Sequence, residues 1–431
     1  MSKITLFWMR RDLRLEDNTG LSEALKSDEE VLPLFIFDTN IIAELPKHDA
    51  RLTFIHNQIS RIHEELKVHN SSILVKTGDP IAIIKDLIKE YEIAKVYTNR
   101  DYEPYAKERD AKIKKYLNDN LIEFKDFKDQ VIFEKGEILS GSGTTYKVFT
   151  PYSKAWLQKF YETNLNPESW PLKNNFFTSP PLPIPSLKDL GFETSPIPIP
   201  TLKVKKSLIK NYDSTRDFPA IEGTSRLGIH LRFGTISIRK LALFAEELNK
   251  IYLNELIWRE FYMMILDENP RVVDQAFKPQ YDKITWKNNK EEFQAWCEGK
   301  TGYPMVDAGM RQMNSTGYMH NRVRMVTASF LSKHLLIDWR WGEAYFAEKL
   351  LDYELSSNNG GWQWAAGTGT DAQPYFRIFN PESQMKKFDK NLEYVKKWIP
   401  EYGTDKYPDA IVEHKFARKR ALEVYKKALD K

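Results

Sequence analysis

Cysteine is almost missing from the 431 residues: Cys297 stands alone. One thiol excludes an internal disulfide framework and any cysteine-built zinc or iron–sulfur centre, and it fits a reducing compartment. Long apolar runs are missing too. No stretch reaches the roughly 20 residues of a membrane span, and the N-terminus, MSKITLFWMRRDLRLEDN, turns charged too early for a secretory signal. A soluble, cytoplasmic protein without membrane contact is expected, and no metal centre. Charge of one sign is scarce as well. With 64 Lys+Arg against 60 Asp+Glu, a net +4, bulk charge names no polyanionic partner and any basic surface must be local. Finally, no Gly-x-Gly-x-x-Gly follows the first apolar run and no Gly-x-x-x-x-Gly-Lys-Ser/Thr occurs anywhere, which removes the dinucleotide fingerprint and the P-loop.

Aromatic residues are what the chain has in quantity: 11 Trp, 21 Tyr and 24 Phe, or 13%. Trp258, Trp286, Trp296, Trp339, Trp341, Trp362, Trp364 and Trp398 all fall in the second half. Core filling is the ordinary use of any one of them.

The apolar pattern divides the chain. Over 1–130, ITLFWM (4–9), VLPLFIF (31–37), SILVK (72–76) and KVYTN (95–99) read as strands; 51–69, 80–92 and 104–119 carry helix-period apolar positions. Alternation of the two predicts an α/β domain with a doubly wound parallel sheet. Over 131–200 the pattern dissolves, and PPLPIP and PIPIP predict an extended interdomain linker. From 201 to 431 the strand-like runs vanish and an all-helical domain is expected, large enough to enclose a cofactor.

Four segments of this second half are poor candidates for mere structure. Thr224 and Ser225, after Gly223 and before Arg226, suit either a plain helix N-cap or a diphosphate cradle. Glu255, Trp258 and Tyr262 fall on one helical face at i, i+3 and i+7, and a core stripe rarely begins with a carboxylate. Asn321 and Met325 lie one turn apart beside Arg322 and Arg324, readable as a solvated basic face or as contacts to phosphate and carboxylate. The run from Asp352 to Pro381, with Asn358, Asn359, two glycines, Trp362 and Trp364, suits backbone brought close to something flat.

On these residues the chain resembles the photolyase/cryptochrome family over nearly its whole length. The resemblance runs from Trp8-Met-Arg10-Arg11-Asp12-Leu-Arg14 and Asn99-Arg-Asp-Tyr-Glu-Pro104 through Gly223-Thr-Ser-Arg-Leu227 and Glu255-Leu-Ile-Trp-Arg-Glu-Phe-Tyr262 to Asn359-Gly-Gly-Trp-Gln-Trp364. Within the family it looks like a class I cyclobutane pyrimidine dimer photolyase. The resemblance implies FAD in the helical domain, with Tyr212, Thr224, Ser225, Arg226, Leu227 and Gly228 at its diphosphate and ribityl portions. Arg324 and Asp352 would line the isoalloxazine as an ion pair, Glu354 would lie near it, and Asn358 would face N5. An amide there suits an anionic reduced flavin better than a carboxylate would.

The same resemblance implies ultraviolet-damaged DNA as partner and a flipped-out dimer; a monomer is expected. Glu255 and Asn321 would hydrogen-bond the dimer, Trp258 and Trp364 would wall it, Tyr262 would share that face, and Met325 would pack against it. Arg216 and Arg322 would meet phosphates. Trp286, Trp339 and Trp362 match the family's electron relay. Asn321 and Met325 stand where relatives that repair (6-4) photoproducts resemble one another in histidines, which favours cyclobutane dimers. A cryptochrome-like photoreceptor is the alternative; the short stretch after Pro381 and the complete substrate pocket weigh against it. A second, antenna chromophore of folate, deazaflavin or flavin type is open. Gly228, Tyr318 and Glu354 depart from the commonest family residues.

Overall fold

β1 (Ile4–Met9), β2 (Glu30–Asp38), β3 (Leu74–Gly78), β4 (Ile93–Asn99) and β5 (Glu123–Phe127) pair in parallel in the order β3-β2-β1-β4-β5. Every residue of β1 is buried, as a central strand covered on both faces requires. The crossover helices Ala50–Lys67, Pro80–Glu90 and Pro104–Asp119 lie where the apolar spacing puts them. Their starts are written locally: Asp49 accepts from the Arg51 N–H, and Asp79 from the Ala82 N–H with Pro80 next in line. β5 escaped the sequence reading because Glu-Phe-Lys-Asp-Phe is half charged. It pairs only with β4, and an edge strand tolerates that composition.

The computed structural model describes residues 3–167 and 175–429. They form two compact units, one of Met1–Glu137, Leu157–Leu202 and Leu227–Phe244, the other of Ile138–Trp156, Lys203–Arg226 and Ala245–Lys431. These divisions differ from the expected boundaries at 130 and 200, and the stretch 131–200 is not a free linker. It contains the helix Phe149–Glu162, whose Tyr152, Trp156 and Phe160 are buried one turn apart. Its proline-rich part straps the sheet unit: Phe176 bridges Val31, the Leu182 N–H donates to Ser72 Oγ at 3.0 Å, the Glu193 N–H to Lys47 O at 2.8 Å, and the Ser195 N–H to Thr53 Oγ1 at 3.0 Å. Proline removes only its own N–H, so the residues between prolines still bond.

In sheets of this winding, ligands take the crevice where strand order reverses, here between β1 and β4. That crevice is occupied by protein. Asn99 Nδ2 donates to Asp12 Oδ2 at 2.6 Å and Asn18 Oδ1 at 2.7 Å, and the Gly20 N–H donates to Asn99 Oδ1 at 2.9 Å. The missing glycine fingerprint thus corresponds to a turn built for side-chain amides. Nearby, Gly234 has φ +62°, and a Cβ there would sit 2.1 Å from Arg11 O, so only glycine lets Phe233 O accept from the Leu13 N–H.

The second unit is helical. Its helices include Lys250–Glu268, Pro304–Thr316, Asn321–Ser329, Trp339–Lys349, Leu355–Ala366 and His414–Leu429. A core of Trp296, Met310, Met313, Phe330, Trp339, Phe346 and Trp362 joins Pro304–Thr316, Asn321–Ser329, Trp339–Lys349 and Leu355–Ala366, and His414–Leu429 packs through Ala421 and Tyr425 in a second cluster with Tyr281 and Leu336. Leu355–Ala366 contains the Asn358-Asn-Gly-Gly361 run that local propensity argues against; packing on both sides overrides the propensity. Among the described residues no helix is long and apolar enough to cross a membrane.

Asp129 anchors the sheet unit. It accepts from Arg14 at 2.8 Å and from Arg239 at 2.9 Å, and the Thr19 N–H donates to it at 3.1 Å. Burial raises its carboxyl, but the two guanidiniums overrule burial and bring it down to about 2. Its stabilisation is therefore complete above the ordinary aspartate range and is lost as pH falls toward 2. Asp129→Ala is expected to lower unfolding free energy by about 3 kcal/mol, since it strips the buried Arg14 guanidinium of its carboxylate and leaves Arg239 with Asp17 alone; urea denaturation measures it, and an unchanged midpoint would refute the anchor.

Candidate active site

A cavity of about 390 Å³ opens in the helical unit. The helix Lys250–Glu268 contributes Glu255, Trp258, Arg259 and Tyr262 to its wall, and Asn321–Ser329 contributes Asn321, Arg324, Met325 and Ala328. Asp352 and Glu354 precede the helix Leu355–Ala366, which adds Asn358, Gly361, Trp362 and Trp364. The i, i+3, i+7 face and the Asn321/Met325 turn therefore meet the glycine- and tryptophan-rich run around one space. The wall, substrate and relay residues named from the sequence separate by place. Arg216, Glu255, Trp258, Tyr262, Asn321, Arg324, Met325, Asp352, Glu354, Asn358, Trp362 and Trp364 line the cavity; Trp286 and Trp339 do not.

The charges on this wall are paired. Arg324 meets both oxygens of Asp352 at 2.9 and 3.0 Å, as the resemblance implies. Arg259 bonds Glu354 at 3.2 Å. Arg216 bonds Glu255 at 2.5 Å, so it lies at the wall. Burial raises the Glu255 carboxyl and Arg216 opposes the rise. Arg322 is held by Asp217 at 2.7 Å and lies over the Phe388 ring at 4.4 Å. Either arginine would exchange or share its carboxylate on meeting a phosphate. His320, the N-cap of Asn321–Ser329, accepts from the Arg322 N–H at 3.1 Å; burial, with Arg322 and Arg324 adding to it, lowers the imidazole to about 4.

Thr224 and Ser225 do not cap a helix. The next helix, Gly228–Arg232, has Leu227 as its N-cap residue and no side-chain cap bond. The Thr224 hydroxyl bonds Tyr318 Oη at 2.9 Å and the Ser225 hydroxyl bonds Tyr252 Oη at 2.8 Å, while Arg226, at φ +53°, lies over the Tyr318 ring at 4.7 Å. Tyr212 packs edge-on to Tyr252 with ring centroids 5.1 Å apart. Leu227 and Gly228 belong to the sheet-bearing unit. Trp362 and Trp339 are buried in one hydrophobic core, with Trp286 packed against it.

Two contributors were not read from the sequence. Glu343, on the helix Trp339–Lys349, accepts from Asn358 Nδ2 at 2.8 Å. Burial raises its carboxyl to about 7, with the Asn358 bond pulling the other way. Phe149 stacks on Trp258 with centroids 3.6 Å apart and planes 7° from parallel. Neither lies in a motif, and each acts through a partner 15 or more positions away, so no local pattern announces them.

The wall fits a flat, polar, nitrogen-rich cofactor such as the isoalloxazine of FAD. Gly361 lines the cavity with nothing within 4 Å of where its Cβ would sit, which keeps backbone and space available for a planar ring. Trp362 Nε1 is buried there without a partner among the described residues. Asn358, Arg324, Asp352 and Glu354 supply donors and acceptors on the same wall.

An α/β unit and a helical unit with an aromatic, ion-paired cavity define a two-part architecture of flavoprotein type. Residues 5–171 match the family described as DNA photolyase, and residues 252–404 match the FAD binding domain of DNA photolyase. The chain belongs to the DNA photolyase family. It is 38% identical to the deoxyribodipyrimidine photo-lyase of Escherichia coli, covering 98% of both chains, and 35% identical to that of Halobacterium salinarum, covering 98% of this chain and 99% of that one. Among solved structures, an archaeal photolyase from Sulfolobus tokodaii with two FAD molecules superposes with TM-score 0.84 at 34% identity, covering 98% of this chain and 99% of that one. A class III photolyase from Agrobacterium tumefaciens gives 0.87 at 30%, covering 100% and 98%.

Glu343 carries a pH prediction. Its folded value near 7 exceeds the ordinary carboxyl value, so the folded state holds the proton more tightly, and stability from this group declines as pH rises toward 7. A protonated-carboxyl infrared band is expected to fade through about pH 7 and to be absent in Glu343→Gln; a band unaltered by that substitution would refute it.

Proposed function

We propose that the chain is a light-dependent lyase that splits cyclobutane pyrimidine dimers in ultraviolet-damaged DNA, with FAD held in the helical unit. The observation that carries this reading is the meeting, around one cavity, of Glu255, Trp258, Asn321, Met325 and Trp364 with Asn358, Arg324 and Asp352. The first group suits a flipped-out pyrimidine dimer and the second a flavin. When bound in its reduced anionic form, FAD supplies the light-excited electron that opens the cyclobutane ring and is returned afterwards.

The chain's own residues do the rest. Trp258 and Trp364 present flat apolar faces to the extruded dimer, which shed its stacking at lower cost than intact bases do. Glu255 and Asn321 offer hydrogen bonds to base edges, with Arg216 stabilising the Glu255 charge. Met325 supplies a deformable wall. Asn358, oriented by Glu343, would offer its amide to a bound flavin, and Arg324 with Asp352 would help hold it. Tyr212, Thr224, Ser225 and Arg226 serve the diphosphate and ribityl portions. Arg216 and Arg322 reach phosphates on either side of the lesion. Trp362, Trp339 and Trp286 relay electrons when the flavin is oxidised. The enzyme acts as a cytoplasmic monomer, and a second chromophore remains compatible with the sheet unit.

The direct test illuminates reduced protein with an oligonucleotide carrying one thymine dimer; recovery of the two thymines in light and none in darkness is expected. Glu255→Ala should lower repair at least about tenfold, the loss of one charge-assisted hydrogen bond, while flavin absorbance stays near that of the parent. Trp362→Phe should slow photoreduction of oxidised FAD and leave repair by chemically reduced protein nearly intact. Equal loss of both would refute the relay assignment.

A further inference from the structure

Trp258 lines the cavity, and Phe149 stacks on one face of its ring. The stack is tight and nearly parallel, 3.6 Å between centroids at 7°, and Phe149 is 6% exposed. Phe261 closes the edges, lying edge-on to Phe149 at 5.8 Å and to Trp258 at 5.7 Å. Trp258 therefore sits in an aromatic frame that fixes its ring plane, since rotation would drive the indole into Phe149 or Phe261.

Phe149 is itself tethered to the same site. It is the first residue of the helix Phe149–Glu162, and its N–H donates to Asp371 Oδ2 at 3.0 Å. Two residues earlier, Lys147 O accepts from Thr370 Oγ1 at 2.6 Å. Thr370 and Asp371 follow the helix Leu355–Ala366 that carries Asn358, Trp362 and Trp364. Two residues earlier again, Thr145 Oγ1 donates to Glu268, the last residue of the helix that carries Trp258. The segment 145–149 thus ties together the two helices that supply the walls Trp258 and Trp364.

We infer that Phe149 is a positioning residue of the substrate pocket: it holds the Trp258 plane, and the segment it begins holds the spacing of the pocket's two tryptophan walls. This rests on the reading of Trp258 as a wall for the flipped dimer. A slot of fixed width selects against intact stacked bases, because ordering a loose indole on binding would subtract from affinity.

The test uses FAD-loaded protein and an oligonucleotide with one thymine dimer, beside its undamaged counterpart. Phe149→Leu removes the flat plate but keeps an apolar side chain. It should weaken dimer binding about five- to tenfold, the size of a lost aromatic stack, with FAD content and undamaged-DNA binding unchanged. Phe149→Tyr, which keeps the plate, should bind the dimer as the parent does. Near-ultraviolet circular dichroism should change in the leucine variant and persist in the tyrosine variant. Leucine binding equal to the parent's, or tyrosine as impaired as leucine, overturns the inference. Trp258→Ala separates the two levels: if it weakens dimer binding and Phe149→Leu does not, this inference alone falls; if neither does, the reading of Trp258 falls with it. Should the leucine variant retain no FAD, Asp371→Ala, which slackens the same tether, takes its place under the same criteria.

Discussion

The active cavity depends on how closely three helices approach one another. Gly360, on Leu355–Ala366, faces Tyr262, on Lys250–Glu268, and a Cβ at 360 would lie 2.2 Å from the phenol ring. Gly342, on Trp339–Lys349, faces Trp362, and a Cβ there would lie 2.1 Å from the indole. Each glycine lets a helix backbone rest on a large aromatic side chain of its neighbour. The large rings then fill the contacts behind the wall, and the wall itself stays open at Gly361. Space for a planar guest arises because packing is dense everywhere else.

The second dependence is electrostatic. A cavity this apolar would penalise isolated charges heavily, and each charge on its wall has a partner: Arg216 with Glu255, Arg259 with Glu354, Arg324 with Asp352. Pairing also fixes orientation. A guanidinium held by a carboxylate keeps its remaining N–H groups aimed, so a guest meets donors already ordered. Asn358 follows the same logic without net charge, since its amide is held by a Glu343 carboxyl that burial keeps largely protonated below about pH 7.

Much of this was legible along the chain. Continuous apolar runs mark the buried strands and helix-period apolar positions mark the crossover helices of the first 130 residues, and three helices and four strands emerged within a few residues of their observed limits. The cavity face of Lys250–Glu268 was legible because a carboxylate in an apolar stripe needs a reason. Other features were not. Phe149–Glu162 hid in a stretch dominated by proline, and the strap after it bonds the sheet through residues between prolines. Leu355–Ala366 has poor helix propensity at Asn358–Gly361 and is a helix by packing. Thr224 and Ser225 suggest a cap, yet their hydroxyls meet Tyr318 and Tyr252, tyrosines brought in from elsewhere in the chain.

Sequence alone determined the residue types at the site, the division into an α/β part and a helical part, and the absence of P-loop and dinucleotide fingerprints, because those follow from composition, spacing and local periodicity. Tertiary structure decided which residues share a wall, which charges neutralise one another, and which ring stands behind Trp258. Those outcomes depend on contacts between residues far apart in the chain, such as Phe149 with Trp258 or Arg216 with Glu255. No local rule encodes such pairs; only the close packing of folded helices brings them within reach.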